Sequence, residues 1–272
     1  LCGPKPVSGA WNNHGEELWV GTIDKATHVL QATKHGVVDY GEYYASKTAA
    51  GTNLTGRRVL FGFIEASVNR QGNGTKRWST SCKSPTGGAS KVVEPEALPR
   101  EVALRSDGTI GFEPVKELQA LRIASTKLSK SATLSCGDTL ALGDLGHAVE
   151  IRATFTPGAA AASASGASYG LSVLGSASGD EVTRIGVSTD SFVVDKRNST
   201  LRNATPPVFK DLMTADRTPA NAAQVAVFVD GRVVETFVDG KVLTTLVYPQ
   251  SNASTKLGLF MRCDGAAADG GD

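Results

Sequence analysis

This sequence predicts an all-β fold, on three observations. From Leu18 onward, short runs rich in Val, Leu, Tyr and Phe recur between clusters of Gly, Asn and Asp, a strand-and-turn pattern rather than a helical one. Between Gln224 and Pro249 the string VAVFVDGRVVETFVDGKVLTTLVYP sets Asp230-Gly231 and Asp239-Gly240 between three apolar runs of strand length. Asp-Gly readily reaches the positive φ that a two-residue hairpin needs, so this stretch reads as a three-stranded antiparallel meander. Helical periodicity is confined to Pro114 to Arg122, where Val115, Leu118 and Leu121 stand at i, i+3 and i+6 behind a Pro suited to a first turn.

In chain order, residues 1–113 form one β-rich part and residues 129–272 a second. The helical run lies in a linker at 114–128, where the turn spacing changes. Ala159 to Ser168 (AAAASASGAS) is low in complexity and reads as a loop between two strands of the second part. In the meander Val225, Val227 and Val229 fall on one face and Ala226 and Phe228 on the other, so both faces are apolar, as in the interior of a β-sandwich. Gly265 to Asp272 has the composition of a disordered tail.

Charge and composition narrow the functional classes. Lys plus Arg number 28 against 27 for Asp plus Glu, so there is no basic excess to hold a phosphate backbone, and nucleic acid is not an expected partner. Apolar runs such as Val225 to Val229 are far shorter than the ~20 residues that cross a bilayer as a helix. Cys2, Cys82, Cys136 and Cys263 are far apart with no Cys-x-x-Cys or His pairing for zinc, which favours one or two disulfides over a metal and leaves the pairing open. His14, His28, His35 and His147 share no ligand spacing, and no cofactor is called for.

Leu1 to Lys5 lacks the charged start and apolar stretch of a signal peptide, so the natural beginning is expected elsewhere. With nine Asn in the chain, chance predicts about 1.6 Asn-x-Ser/Thr acceptors, yet five occur, at Asn53, Asn73, Asn198, Asn203 and Asn252. All adjoin turn-forming residues. A Ser/Thr-rich surface is the plain alternative. Together with the cysteines, the excess points to the secretory route and to a secreted or vacuolar location.

Four strings in the first part carry a resemblance: DYGEYYASKT from Asp39, RRVLFGF from Arg57, LPR from Leu98 and PVKELQALR from Pro114. In order and spacing they resemble glycoside hydrolase family 32, the invertase, fructan exohydrolase and inulinase group, whose members carry D-x-G-x-x-Y-A, R-R-x-x-x-G-W, I-P-R and P-x-x-E-x-x-x-L-R. VFVDGRVVETFVDG is similar to the V-D-x-S-x-x-E-x-F segment of that family's second domain, and Val247 to Pro249 matches its following V-Y-P. The resemblance spans about residues 18–262. It implies the last part of a five-bladed β-propeller at 1–113, a linker at 114–128 and a C-terminal β-sandwich at 129–272.

The resemblance further implies a β-fructofuranosidase-type glycosidase that cleaves sucrose or fructan oligosaccharides by a retaining, two-carboxylate mechanism. The family's nucleophile and acid sit in W-M-N-D-P-N-like and E-C-P-like motifs, with a further Asp in R-D-P. None of the three occurs here. The chain alone is therefore expected to be inactive and to need the N-terminal propeller portion as its partner. A chain entering a propeller partway is also expected to leave apolar edges near Leu18 to Ile23 and Val59 to Ile64.

Three residues are implied to touch substrate. Gly21-Thr22-Ile23-Asp24 resembles G-T-Y-D, whose Asp accepts charge-assisted hydrogen bonds from sugar hydroxyls; Thr27 stands where many invertases have Lys. Without the resemblance, Asp24 beside Lys25 is a turn former. Tyr44, and Phe63 where the family commonly has Trp, would stack on the apolar face of a sugar ring, the alternative being ordinary core aromatics. Asp39 reads as structural, accepting backbone N–H groups at a turn with Gly41. Gly166 to Gly170 fits G-x-S-x-G, but a nucleophile elbow needs a strand before it and a helix after it, and neither is predicted. Arg77 to Glu96 is an insertion rich in Lys, Ser and Gly. The rival class is a non-catalytic β-sandwich module that binds carbohydrate or a protein partner.

Overall fold

The computed structural model describes residues 16–50, 56–64, 95–124, 127–158, 167–201, 212–218 and 222–263. In the first part, β1 (Glu17–Ile23) and β2 (Leu30–Val37) pair as an antiparallel ribbon. A second sheet runs in simple chain order through β3 (Tyr43–Ala50), β4 (Arg58–Ile64), β5 (Arg100–Leu104) and β6 (Ile110–Pro114). A 3₁₀ helix, Lys116–Leu121, follows.

The remaining strands are β7 (Thr139–Asp144), β8 (Ala148–Phe155), β9 (Ser168–Gly175), β10 (Thr183–Val187), β11 (Ser191–Asp195) and β12 (Leu212–Asp216). Then come β13 (Ala223–Asp230), β14 (Val233–Val238), β15 (Lys241–Leu246) and β16 (Lys256–Arg262). They form a six-stranded sheet, β12-β11-β10-β9-β16-β7, and a four-stranded sheet, β15-β14-β13-β8. The two sheets face each other as a sandwich. Leu171, Val173, Ile185, Phe192 and Val194 of the first meet Val225, Val227, Val234, Val238 and Leu243 of the second.

The four-stranded sandwich sheet is buried on its other face as well. Ala226, Phe237, Val242 and Leu246 pack against Val38, Tyr43, Leu60, Ile64 and Phe112 of the first part. The apolar residues on both faces of β13 thus serve two cores, and the molecule is three sheets deep. In the meander, Asp239 (φ 50°) and Gly240 (φ 79°) are the central residues of a two-residue turn between Val238 and Lys241, as expected for Asp-Gly. The first turn is one residue later than expected: Asp230 pairs with Val233, so Gly231 (φ 58°) and Arg232 are central, with glycine in the left-handed position.

The two β-rich parts are held by buried charge. Asp39 lies on the link from β2 to β3, and its Oδ1 accepts the N–H groups of Gly41 (2.6 Å) and Thr244 (3.0 Å). Its Oδ2 accepts the Thr244 hydroxyl (2.7 Å) and faces Arg100 Nη1 at 2.8 Å. Arg100 Nη2 donates to Glu235 Oε2 (3.0 Å) and Thr244 Oγ1 (2.6 Å), while Glu235 Oε1 accepts Leu98 N–H (2.6 Å). The guanidinium carbon lies 4.0 Å from the Tyr43 ring centroid. Burial alone would push Arg100 toward its neutral form, but Asp39 and Glu235 outweigh it and hold its pKa above the ordinary value. Gly41 passes so close to β15 that a Cβ there would collide with Thr244 O. Glu42 completes the seam: its Oε2 accepts Thr245 Oγ1 (2.8 Å) and Leu246 N (2.8 Å), and its Oε1 lies 3.5 Å from the buried Lys196 Nζ.

Several expectations meet corrections. The helical run from Pro114 to Arg122 is a single 3₁₀ helix that begins after Pro114 has ended β6; a repeat of three fits the 3₁₀ period as well as an α-helical face. Val115 is buried, but Leu121 is 76% exposed. The helix is tied from both sides, by Arg57 to Glu117 and by Arg122 to Glu150. Val59 to Ile64 is not an apolar edge: β4 pairs with both β3 and β5, and Val59, Leu60 and Ile64 are buried. The ribbon does expose Trp19 and Ile23. Ser168, placed in a loop by composition, opens β9. Cys136 bonds Cys263, a pairing the sequence left open. Cys2, Cys82, most of the insertion and the tail lie outside the described residues.

Two outcomes follow for stability. Arg100→Met leaves Asp39 and Glu235 buried without their cation and is expected to cost about 3–5 kcal/mol in urea unfolding, with partial recovery on adding Glu235→Gln. Cys136→Ser with Cys263→Ser opens a loop of 127 residues and is expected to cost about 4–5 kcal/mol on the chain-entropy scale, read as a drop in the thermal midpoint.

Candidate functional site

Tyr44 and Phe63 are directly opposed across β3 and β4, with ring centroids 5.5 Å apart in an edge-to-face pair. Both are half-exposed. Immediately after Tyr44 the register breaks, and Ala45 takes a left-handed φ of 51°. A bulge of this kind re-aims the neighbouring side chain and recurs beside functional sites. Glu16 Oε1 anchors it by accepting Ser46 N–H at 2.9 Å. The pair therefore offers a ring face and a ring edge to an apolar sugar surface.

Asp24 stands on the separate ribbon, in the turn between β1 and β2. Its Oδ1 accepts the N–H groups of Ala26 and Thr27, each at 2.8 Å, and these bonds, Thr27's foremost, lower its pKa. The turn-forming role is thus present, with the Thr27 side chain also bonding the carboxylate. The structure brings Tyr44 and Phe63 together and leaves Asp24 on another sheet. Asp39 is structural, as its hydrogen bonds show.

The remaining motifs fall into place as packing. Ser168 begins β9 and pairs with Arg262 of β16, and the chain continues as a strand, so Ser168 does not stand on a strand-to-helix elbow; Gly166 lies outside the described residues. His35 stacks on Trp19 at 4.6 Å, and His147 Nε2 donates to Asn252 O at 2.6 Å. Among the described residues no group of three or more His, Cys, Asp or Glu could hold a metal ion. No helix there is long and apolar enough to cross a membrane. A groove of about 220 Å³ lies between β6 and the four-stranded sandwich sheet, lined by Glu113, Arg152, Thr154, Gln224 and Phe237, away from the aromatic pair.

Sequence reasoning missed the parts played by Arg100 and Glu235. Each sits inside a string quoted for the resemblance, and the available signal was a charged residue at an inward-facing strand position, which requires a buried partner.

The comparisons with known proteins agree with this architecture. The family model described as "Glycosyl hydrolases family 32 C terminal" matches residues 117–268. No curated protein sequence matches the chain. Among solved structures, the chain is similar to an Aspergillus kawachii β-fructofuranosidase at 17% identity and a TM-score of 0.69, covering 96% of this chain and 51% of that one. It is similar to fructan 1-exohydrolase IIa from Cichorium intybus at 18% identity and a TM-score of 0.67, covering 89% and 51%. It also matches an exo-inulinase from Aspergillus awamori at 18% identity and a TM-score of 0.64, covering 91% and 46%. The chain spans about half the length of these structures. With more than half of its residues matched by the family model, the chain belongs to glycosyl hydrolase family 32, whose C-terminal β-sandwich it contains.

Proposed function

We propose that this chain is the C-terminal portion of a β-fructofuranosidase-type glycosidase that cleaves the O-glycosidic bonds of sucrose or fructans. The observation that carries the reading is the family match over 117–268, joined to a meander of four strands, the unit a propeller repeats as a blade. The β-fructofuranosidase, inulinase and fructan exohydrolase among the solved structures support it, and the chicory fructan exohydrolase has been captured with 1-kestose. In this reading the N-terminal propeller portion supplies both catalytic carboxylates: one attacks the anomeric carbon, and the other protonates the leaving oxygen. Tyr44 and Phe63 pack on the fructosyl ring, and the Asp24 carboxylate accepts from a sugar hydroxyl.

The reading extends to the secretory route. The Cys136–Cys263 bridge supports it, as does the exposure of Asn198 and Asn252 in turns, where a glycan is accepted without disturbing a core. Asn53, Asn73 and Asn203 lie outside the described residues.

Purified residues 1–272 are expected to release no fructose from sucrose or inulin, because neither carboxylate motif is present. Turnover that survives purification and is abolished by Asp24→Ala overturns the proposal. In a polypeptide with the N-terminal portion restored, fructose release is expected, and Tyr44→Ala is expected to lower kcat/KM about fivefold, the worth of one ring contact of about 1 kcal/mol. An unchanged kcat/KM would remove Tyr44 from the sugar site.

A further inference from the structure

We propose that the Asp39–Arg100–Glu235 cluster is a proton-operated latch between the four-stranded meander and the sandwich, holding the two more firmly in mildly acidic than in alkaline surroundings. Two carboxylates share one guanidinium, and all three side chains are at most 1% exposed. With both carboxylates ionised the cluster carries one negative charge in excess, in a place water does not reach.

The hydrogen bonds show where a proton would settle. Asp39 accepts hydrogen bonds from Gly41 N–H, Thr244 N–H and the Thr244 hydroxyl, and its Oδ2 lies 2.8 Å from Arg100 Nη1. Glu235 has two short donors among the described residues, Leu98 N–H at 2.6 Å and Arg100 Nη2 at 3.0 Å. The third contact is weak: Thr244 Oγ1 stands 3.5 Å from Glu235 Oε2 while its hydroxyl donates to Asp39 Oδ2 at 2.7 Å, so Glu235 is the less well-solvated carboxylate of the two. Burial raises the pKa of Glu235, Arg100 and the Leu98 bond oppose it, and Asp39 adds to the rise.

The other titratable groups around the cluster leave this balance in place. Tyr43, beneath the guanidinium, is held protonated by burial, with Glu16 beside it. Glu42 and Lys196 pair with each other and add no net charge.

The direction of the effect follows from linkage. A carboxyl whose pKa is raised on folding contributes stability that is fully present below its unfolded value of about 4.3 and is lost as pH rises through the folded value. One proton changes the ratio of folded to unfolded chain by at most about tenfold per pH unit. Glu181 bounds the window from below: its burial works against ionisation, but hydrogen bonds from Ser254, Gln250 and Leu201 hold its pKa below the ordinary value, so its contribution is lost in stronger acid.

The test is thermal unfolding of residues 1–272 between about pH 5 and about pH 8. The unmodified chain is expected to lose stability as pH rises, and Glu235→Gln to show a flatter profile. Parallel profiles for the two proteins overturn the proposal. A second measurement needs no variant: the carbon-13 shift of the Glu235 carboxyl in the folded chain is expected to titrate above the ordinary glutamate value of about 4.3, and a midpoint at or below it overturns the proposal.

Discussion

A guanidinium taken wholly out of water can persist only where carboxylates and hydroxyls meet it at close range, and this requirement organises the molecule. Arg100 comes from the four-stranded meander, Glu235 from the sandwich and Asp39 from the link leading out of the ribbon. The three strings that supply them, DYG, LPR and VETF, are far apart in the chain yet converge on one point. Buried ion pairs add little net stability compared with apolar packing, but they penalise every arrangement that separates the partners. The seam is thereby specified rather than merely sticky.

Strand β15 shows how tightly that specification acts. Thr244 faces Asp39 and Arg100, while its neighbour Thr245 bonds Glu42 and Lys196. Consecutive residues of a strand point to opposite faces, so a slip by one residue would move both threonines away from both charge clusters. The chain Asp39 to Glu42 lies along β15 with Tyr40 N bonded to Val242 O and Glu42 N to Thr244 O. It behaves as an added edge, with Gly41 allowing the approach.

How much of this the sequence disclosed depends on the range of the interaction. The all-β class and the meander rest on local alternation and Asp-Gly chemistry, and both are present in the structure. The first turn falls one residue late because a two-residue turn can equally take Gly at its first central position, and Gly231 N–H then continues the β13–β8 ladder to His147 O. The apolar residues on both faces of β13 pointed to a sandwich interior, but a third sheet supplies the second face, and no pattern within β13 can say which element covers it. The bulge that follows Tyr44 was equally hidden, since alanine carries no preference for positive φ. The resemblance brought Tyr44, Phe63 and Asp24 forward together, whereas hydrogen bonding in the ribbon turn is what engages Asp24 locally.

The bridge from Cys136 to Cys263 has a mechanical consequence. The two cysteines flank β7 to β16, so the whole sandwich hangs from the rest of the polypeptide as a closed covalent loop. Tension applied at the chain ends passes from one sulfur to the other and bypasses every strand of that loop. A pull from outside loads the sandwich only through its seam with the first part, and once that seam has parted the strands inside the loop carry no tension until the bond is reduced.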